Sequence, residues 1–264
     1  MAKQPRTAST SRHRVFLGTA ATLVFAGITA FGSVAWAASD ETMDTLLSRP
    51  VVIVVALALV SLLPFVFMAV TSFLKISTVL HIVRGAIGAQ SIPSSTVVMA
   101  LAAALTMISM APVGSRILDN AGPVLNGPAS TDTVALASGV IKACAEPIRE
   151  FLKANASEKE RARFYMVARA ARPAEQRSEV HPDDIIVLIP AFMVTELMEA
   201  FALGFMIFLP FLVIDVVIAN VLLSLGMQMM SPTQVSLPFK LILFVAVDGW
   251  GLMTEALVSG YLTG

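Results

Sequence analysis

Between Ile185 and Leu225 run about 41 mostly apolar residues, interrupted by only three charges, Glu196, Glu199 and Asp215. As one helix the stretch would extend about 60 Å at about 1.5 Å per residue, twice a bilayer core of about 30 Å. One straight crossing cannot use all of it, and Pro210 is expected to divide the run. An unpaired charge facing lipid costs about 2.5 to 3.5 kcal/mol, so the three acids should face protein or water. A turn from Gly226 to Pro232 follows, and then a further apolar segment, Val235 to Val258, carries Lys240 and Asp248. The pattern is that of a membrane-embedded assembly surface.

The composition agrees: 56% of residues are hydrophobic and 14% charged, with a mean hydropathy of +0.81, against roughly 25% charge in a soluble domain. The 18 basic and 18 acidic residues cancel, so no global field points to nucleic acid as a partner. The one cysteine, Cys144, cannot form an internal disulfide and reads as a small buried apolar residue.

The first 14 residues carry Lys3, Arg6, Arg12 and Arg14 and no acid, and Val15 to Trp36 is apolar before Ala35-Trp36-Ala37 and Ala38. This is the layout of a signal peptide over 1–37, cleaved between Ala37 and Ala38, or of an uncleaved signal anchor. Either reading starts Ser39 outside the cytoplasm. Residues 38–112 read as an apolar helical hairpin. Its first segment is Val51 to Leu74, its polar turn from Lys75 to Ser95 is cytoplasmic by the positive-inside tendency, and its second segment, Thr96 to Met110, is short.

Residues 113–184 are different, with ten bases and ten acids and with loop signals at Gly122-Pro123 and Gly127-Pro128. Thr133 to Leu152 should form a helix with Leu136, Val140, Ile141, Cys144 and Ile148 near one face. Ser157 with Glu160 makes a capping box for a second helix through Ala170. The expectation is a small water-facing periplasmic helical domain, followed by a second apolar hairpin over 185–264. The fold class is therefore all-α.

Glu196 and Glu199, three apart, share a helix face. No histidine lies near them, so no metal and no cofactor is expected. Lys240 is the sole base after Ile185, facing five acids: Glu196, Glu199, Asp215, Asp248 and Glu255. That imbalance argues for partner chains or an aqueous lumen around the charges, and an ion-coupled secondary transporter built on Glu196, Glu199 and Asp215 is the competing reading. No nucleophile triad, phosphate loop or metal spacing appears, so the chain reads as non-enzymatic.

The blocks LIPAF, FLPFLVIDVVIANVLLSLGMQMMSP, SLPFK and LFVAVDGW closely resemble the FliP/SctR family, the export-gate protein of flagellar and injectisome type III secretion systems. The likeness extends over roughly Pro50 to Leu257. It implies a channel subunit of the bacterial inner membrane that assembles as about five copies with SctS/FliQ-like and SctT/FliR-like subunits. It further implies work beside SctU/FlhB-like and SctV/FlhA-like components and the passage of exported unfolded proteins. By the same resemblance, Met227, Met229 and Met230 form the pore gate, a Met-rich gasket, with Gln228 in that gate where FliP-like sequences often continue the Met run. Glu196, Glu199, Asp215, Lys240 and Asp248 are expected as subunit-contact or buried charges. The stretches at 157–165 and 229–233 favour the injectisome branch, although the leader-like start resembles the flagellar one.

Overall fold

A computed structural model describes residues 50–88, 93–125 and 133–262, and the leader and Ala37–Ala38 lie outside them, as do Gly127-Pro128. Every regular element among the described residues is helical. In order these are α1 (Pro50–Val70), α2 (Phe73–Ile87), α3 (Ser95–Ser109), α4 (Ala111–Leu125), α5 (Thr133–Asn155), α6 (Glu158–Ala170), a 3-10 turn (Ala174–Glu179), α7 (Ile185–Ser224), α8 (Pro232–Ala246) and α9 (Gly249–Leu262). Residues up to Leu63 make one unit and Pro64–Gly264 a second; the packing described below lies within the second.

Local chemistry sets several boundaries. The Ser94 hydroxyl accepts from the Val97 amide at the start of α3, and the Ser157 hydroxyl accepts from the Glu160 amide at the start of α6. The reciprocal half of the capping box is absent, because the buried Glu160 carboxylate turns to Arg163 at 2.9 Å. Pro112 sits in the first turn of α4, where its missing N–H leaves nothing unsatisfied.

Four expectations change. Pro210 does not divide the long run: α7 is continuous over 40 residues and contains both Pro190 and Pro210. A proline removes one helical hydrogen bond, and packing beside it outweighs that loss; the adjacent Phe211 is buried and packs against Phe244, the rings tilted by 45° with centroids 6.2 Å apart. The stretch after Lys75 is helix to Ile87 instead of a polar turn, since Ile76, Val79, Leu80 and Val83 recur at helical spacing and are fully buried. Gly122-Pro123 lies inside α4, not in a loop. On α5 the inward face runs through Ala143, Phe151 and Leu152, leaving Ile141 68% exposed and Cys144 half-buried. Phe151 fixes that rotation by packing edge-on to Phe192 at 5.5 Å.

Two apolar clusters result. The first gathers α2, α3 and the middle of α7 with Phe244, Met253 and Leu257. The second gathers Val70, Val113, Phe151, Leu152 and the start of α7 through Leu188, Ala191 and Phe192. Among the described helices α7 alone is long and apolar enough to cross a membrane, and up to four crossings are possible if three bent pairs each count as one.

Candidate functional site

The methionine turn is built by backbone chemistry. At the end of α7, Gly226 adopts φ +73°, its amide donates to Leu223 O at 3.1 Å, and the Met227 amide donates to Leu222 O at 2.9 Å. This paired closure with a left-handed residue stops the helix and uses its last carbonyls. Pro232 then opens α8 at its first position. Between the two helices, Met227, Gln228, Met229 and Met230 are all exposed, and Met229 is 100% exposed.

Below this turn a buried charge ties α7, α8 and α2 together. The Lys240 ammonium donates to Asp215 Oδ2 at 2.6 Å and to Ala86 O at 3.2 Å, and the Ser236 hydroxyl donates to Asp215 Oδ1. Lys240 is 2% exposed. Ala86 lies in the last turn of α2, where a cation complements the carbonyl end of the helix. Gly88, at φ +80°, closes that helix, and a Cβ there would lie 3.9 Å from Lys240 Nζ. Asp215 lies nine residues before the end of α7, so the tie sits about 13 Å down the helix from its end. The methionines are therefore displayed at the tip of a pinned helical pair.

Glu196 and Glu199 do share a face, and their base comes from the other half of the chain. Lys75 Nζ lies 3.2 Å from Glu196 Oε1 and 2.6 Å from Glu199 Oε2, and 4.4 Å from the centroid of the Tyr261 ring. The Tyr261 hydroxyl donates to Glu196 Oε2. The side chains of Lys75 and Glu196 are almost wholly buried, while that of Glu199 is 52% exposed. The count of five acids against Lys240 thus omitted a second base, which reduces the charge left over for partner chains. Lys75 and Tyr261 were not anticipated. The signal for Lys75 was its place on the apolar face formed by Phe73, Ile76, Val79 and Leu80; nothing local marks Tyr261.

Asp248 is exposed and remote in role from Lys240. It takes φ +51° at the break between α8 and α9. A Cβ on Gly249 would lie 2.3 Å from the Phe244 ring, and one on Gly251 would lie 2.3 Å from Asp248 Oδ2. With Trp250 edge-on to Phe244 at 5.3 Å, the DGWG stretch is a bend whose glycines allow close approach.

Residues 56–257 match the FliP family. The Hypersensitivity response secretion protein HrcR of Ralstonia nicotianae is 40% identical over 209 residues, covering 79% of this chain and 95% of that protein. The Yop proteins translocation protein R of Yersinia pestis is 38% identical over 209 residues with the same coverage. The Surface presentation of antigens protein SpaP of Shigella flexneri is 35% identical over 210 residues, covering 80% of this chain and 95% of that protein.

Proposed function

Since the chain belongs to the FliP family of type III secretion export proteins, we propose that it is a wall subunit of the export channel. In this reading the turn from Met227 to Met230 is the deformable seal. The observation that carries the reading is the full exposure of Met229 at the tip of a helical pair tied by Asp215, Ser236 and Lys240. Unbranched thioethers repeated around a ring of copies can pack against one another at rest and deform around a passing polypeptide. Gln228 places one polar group in that ring.

About five copies, joined by SctS/FliQ-like and SctT/FliR-like subunits, would form the gate in the bacterial inner membrane, with residues 113–184 on the periplasmic side. SctU/FlhB-like and SctV/FlhA-like components would deliver the unfolded substrates. The relatives named for the hypersensitivity response and for Yop proteins favour the injectisome branch. A secondary transporter is disfavoured because Lys75 and Lys240 already hold the carboxylates it would need.

The test replaces Met227, Met229 and Met230 together with Gly. Native mass spectrometry of the detergent-extracted complex should show unchanged assembly, and membranes carrying it should leak small ions. Intact assemblies that do not leak would remove the seal from the proposal. A chain that stays monomeric or dimeric with its small partners present would remove the gate itself.

A further inference from the structure

The two apolar clusters meet at a buried polar layer. Three stretches of chain pass from one cluster to the other, and each does so at side chains bearing hydroxyl or charge. Val70 belongs to the second cluster and Phe73 to the first, with Thr71 and Ser72 between them. Leu105 belongs to the first and Val113 to the second, with Thr106 and Ser109 between them. On α7, Phe192 belongs to the second and Ala200 to the first, with Thr195 and Glu196 between them. All six are buried, as is Lys75, which lies in the same layer beside Glu196.

The backbone breaks at two of the three crossings. The helical segments Pro64–Val70 and Phe73–Ile87 meet at 87°, and α3 meets α4 at 58°. The two breaks touch through the Ser72 and Ser109 hydroxyls. Ser109 donates its proton to Thr106 O at 3.1 Å, so Ser72 is the donor to Ser109. Each crossing also carries a threonine bonded to the carbonyl four residues before it: Thr71 to Phe67 O at 2.7 Å, Thr106 to Ala102 O at 2.7 Å and Thr195 to Ala191 O at 2.8 Å. Such back-bonding competes with the helical bond at that carbonyl and favours bending.

We infer that this layer is an articulation plane. The body formed by α4, α5 and α6 tilts over the body formed by α2, α3, α8 and α9. The continuous α7 is the shared shaft, the Ser72–Ser109 contact is the point where the two breaks move together, and the Lys75, Glu196 and Tyr261 cluster is the latch. Tyr261 packs against both clusters, so it is placed to hold them. Small tilts in the α4 to α6 body can then occur without breaking either apolar core.

The experiment uses the full chain in its assembled complex, with Ser72→Cys and Ser109→Cys introduced on a Cys144→Ser background. Cysteines at these two contacting positions can bridge with about 3.5 to 4.5 Å between their Cβ atoms. Hydrogen exchange is compared between the oxidised and reduced forms of the same protein. Oxidation is expected to slow amide exchange across α4 and both breaks by about 10-fold while leaving the middle of α2 unchanged. Equal exchange in the two forms would overturn the inference, and so would failure of the disulfide to form in a folded complex. A second variant, Thr106→Val, keeps the side-chain shape and removes the bond to Ala102 O. It is expected to slow exchange at the α3–α4 break by about 3-fold, and no change there would equally overturn the articulation. Neither readout depends on ion leakage, so the seal and the articulation stand or fall separately.

Discussion

α2 and α7 pack along one another yet place different shares of themselves inside the chain, about half of α2 and a quarter of α7. Eight of the 15 residues of α2 are buried, and they include the ammonium-bearing Lys75. Ten of the 40 residues of α7 are buried, and its exposed residues include Phe201, Phe205, Met206 and Val213. The more apolar helix is therefore the less buried one. Hydropathy reports the environment a side chain prefers, and that environment can be lipid, a neighbouring copy or the chain's own core. For α2 it is the chain's own core, whereas most of α7 requires something outside the single chain.

Substitutions can break this contrast. The largest effect is expected from Lys75→Ala, which strands Glu196 as a buried, unpaired acid; breaking a buried pair in this way costs about 3 to 5 kcal/mol. Thermal unfolding of the detergent-solubilised chain should show it, while Glu199→Gln, at a half-exposed position, should move the midpoint far less. Equal shifts would mean that Lys75 stabilises the fold through the half-exposed Glu199 and not through the buried Glu196.

Next comes Lys240→Met, which removes the tie to Asp215 and to Ala86 O. Hydrogen bonds to charged groups are worth about 1.5 to 3 kcal/mol, and the loss should appear as faster hydrogen exchange in the last turn of α2. Unchanged exchange there would show that Gly88 suffices to close the helix.

Gly204→Leu tests the seam between the two helices, since a Cβ at Gly204 would lie 2.6 Å from Ile82 Cδ1. Overpacking of this kind costs about 1 to 3 kcal/mol, read from the unfolding midpoint of the isolated chain. The smallest effect on the isolated chain is expected from Phe205→Ser on the outer face of α7. It should change stability by less than about 0.5 kcal/mol but reduce the fraction of assembled complex in native mass spectrometry. A loss of stability without a loss of assembly would reverse the assignment of that face.

Much of the helical content was readable from local pattern. Ser157 and Glu160 marked the start of α6 because a capping hydroxyl acts within three residues. Gly226 and Pro232 marked the methionine turn because φ above zero and a missing N–H are backbone properties. Pro210 misled because a proline's local penalty is set against packing that the sequence does not display. Lys75 misled for a related reason: a lone lysine after an apolar run satisfies the rule for a cytoplasmic flank, and its two carboxylate partners lie more than 120 residues away. The DGWG stretch was visible as a motif, but its role as a bend against Phe244 was not.

By itself the sequence determined an all-α fold class with too much apolar surface for one soluble core, acids inside apolar segments that need partners, and a glycine- and proline-bounded methionine turn. These are consequences of composition, periodicity and backbone restriction, all of which act over a few residues. Only the tertiary structure decided which base meets which acid, that α7 runs unbroken past Pro210, and that two apolar clusters meet at a buried layer of hydroxyls and charge. Those outcomes depend on side chains from distant segments competing for the same buried space, where the Coulombic and packing terms of a pair outweigh the preference of either residue alone.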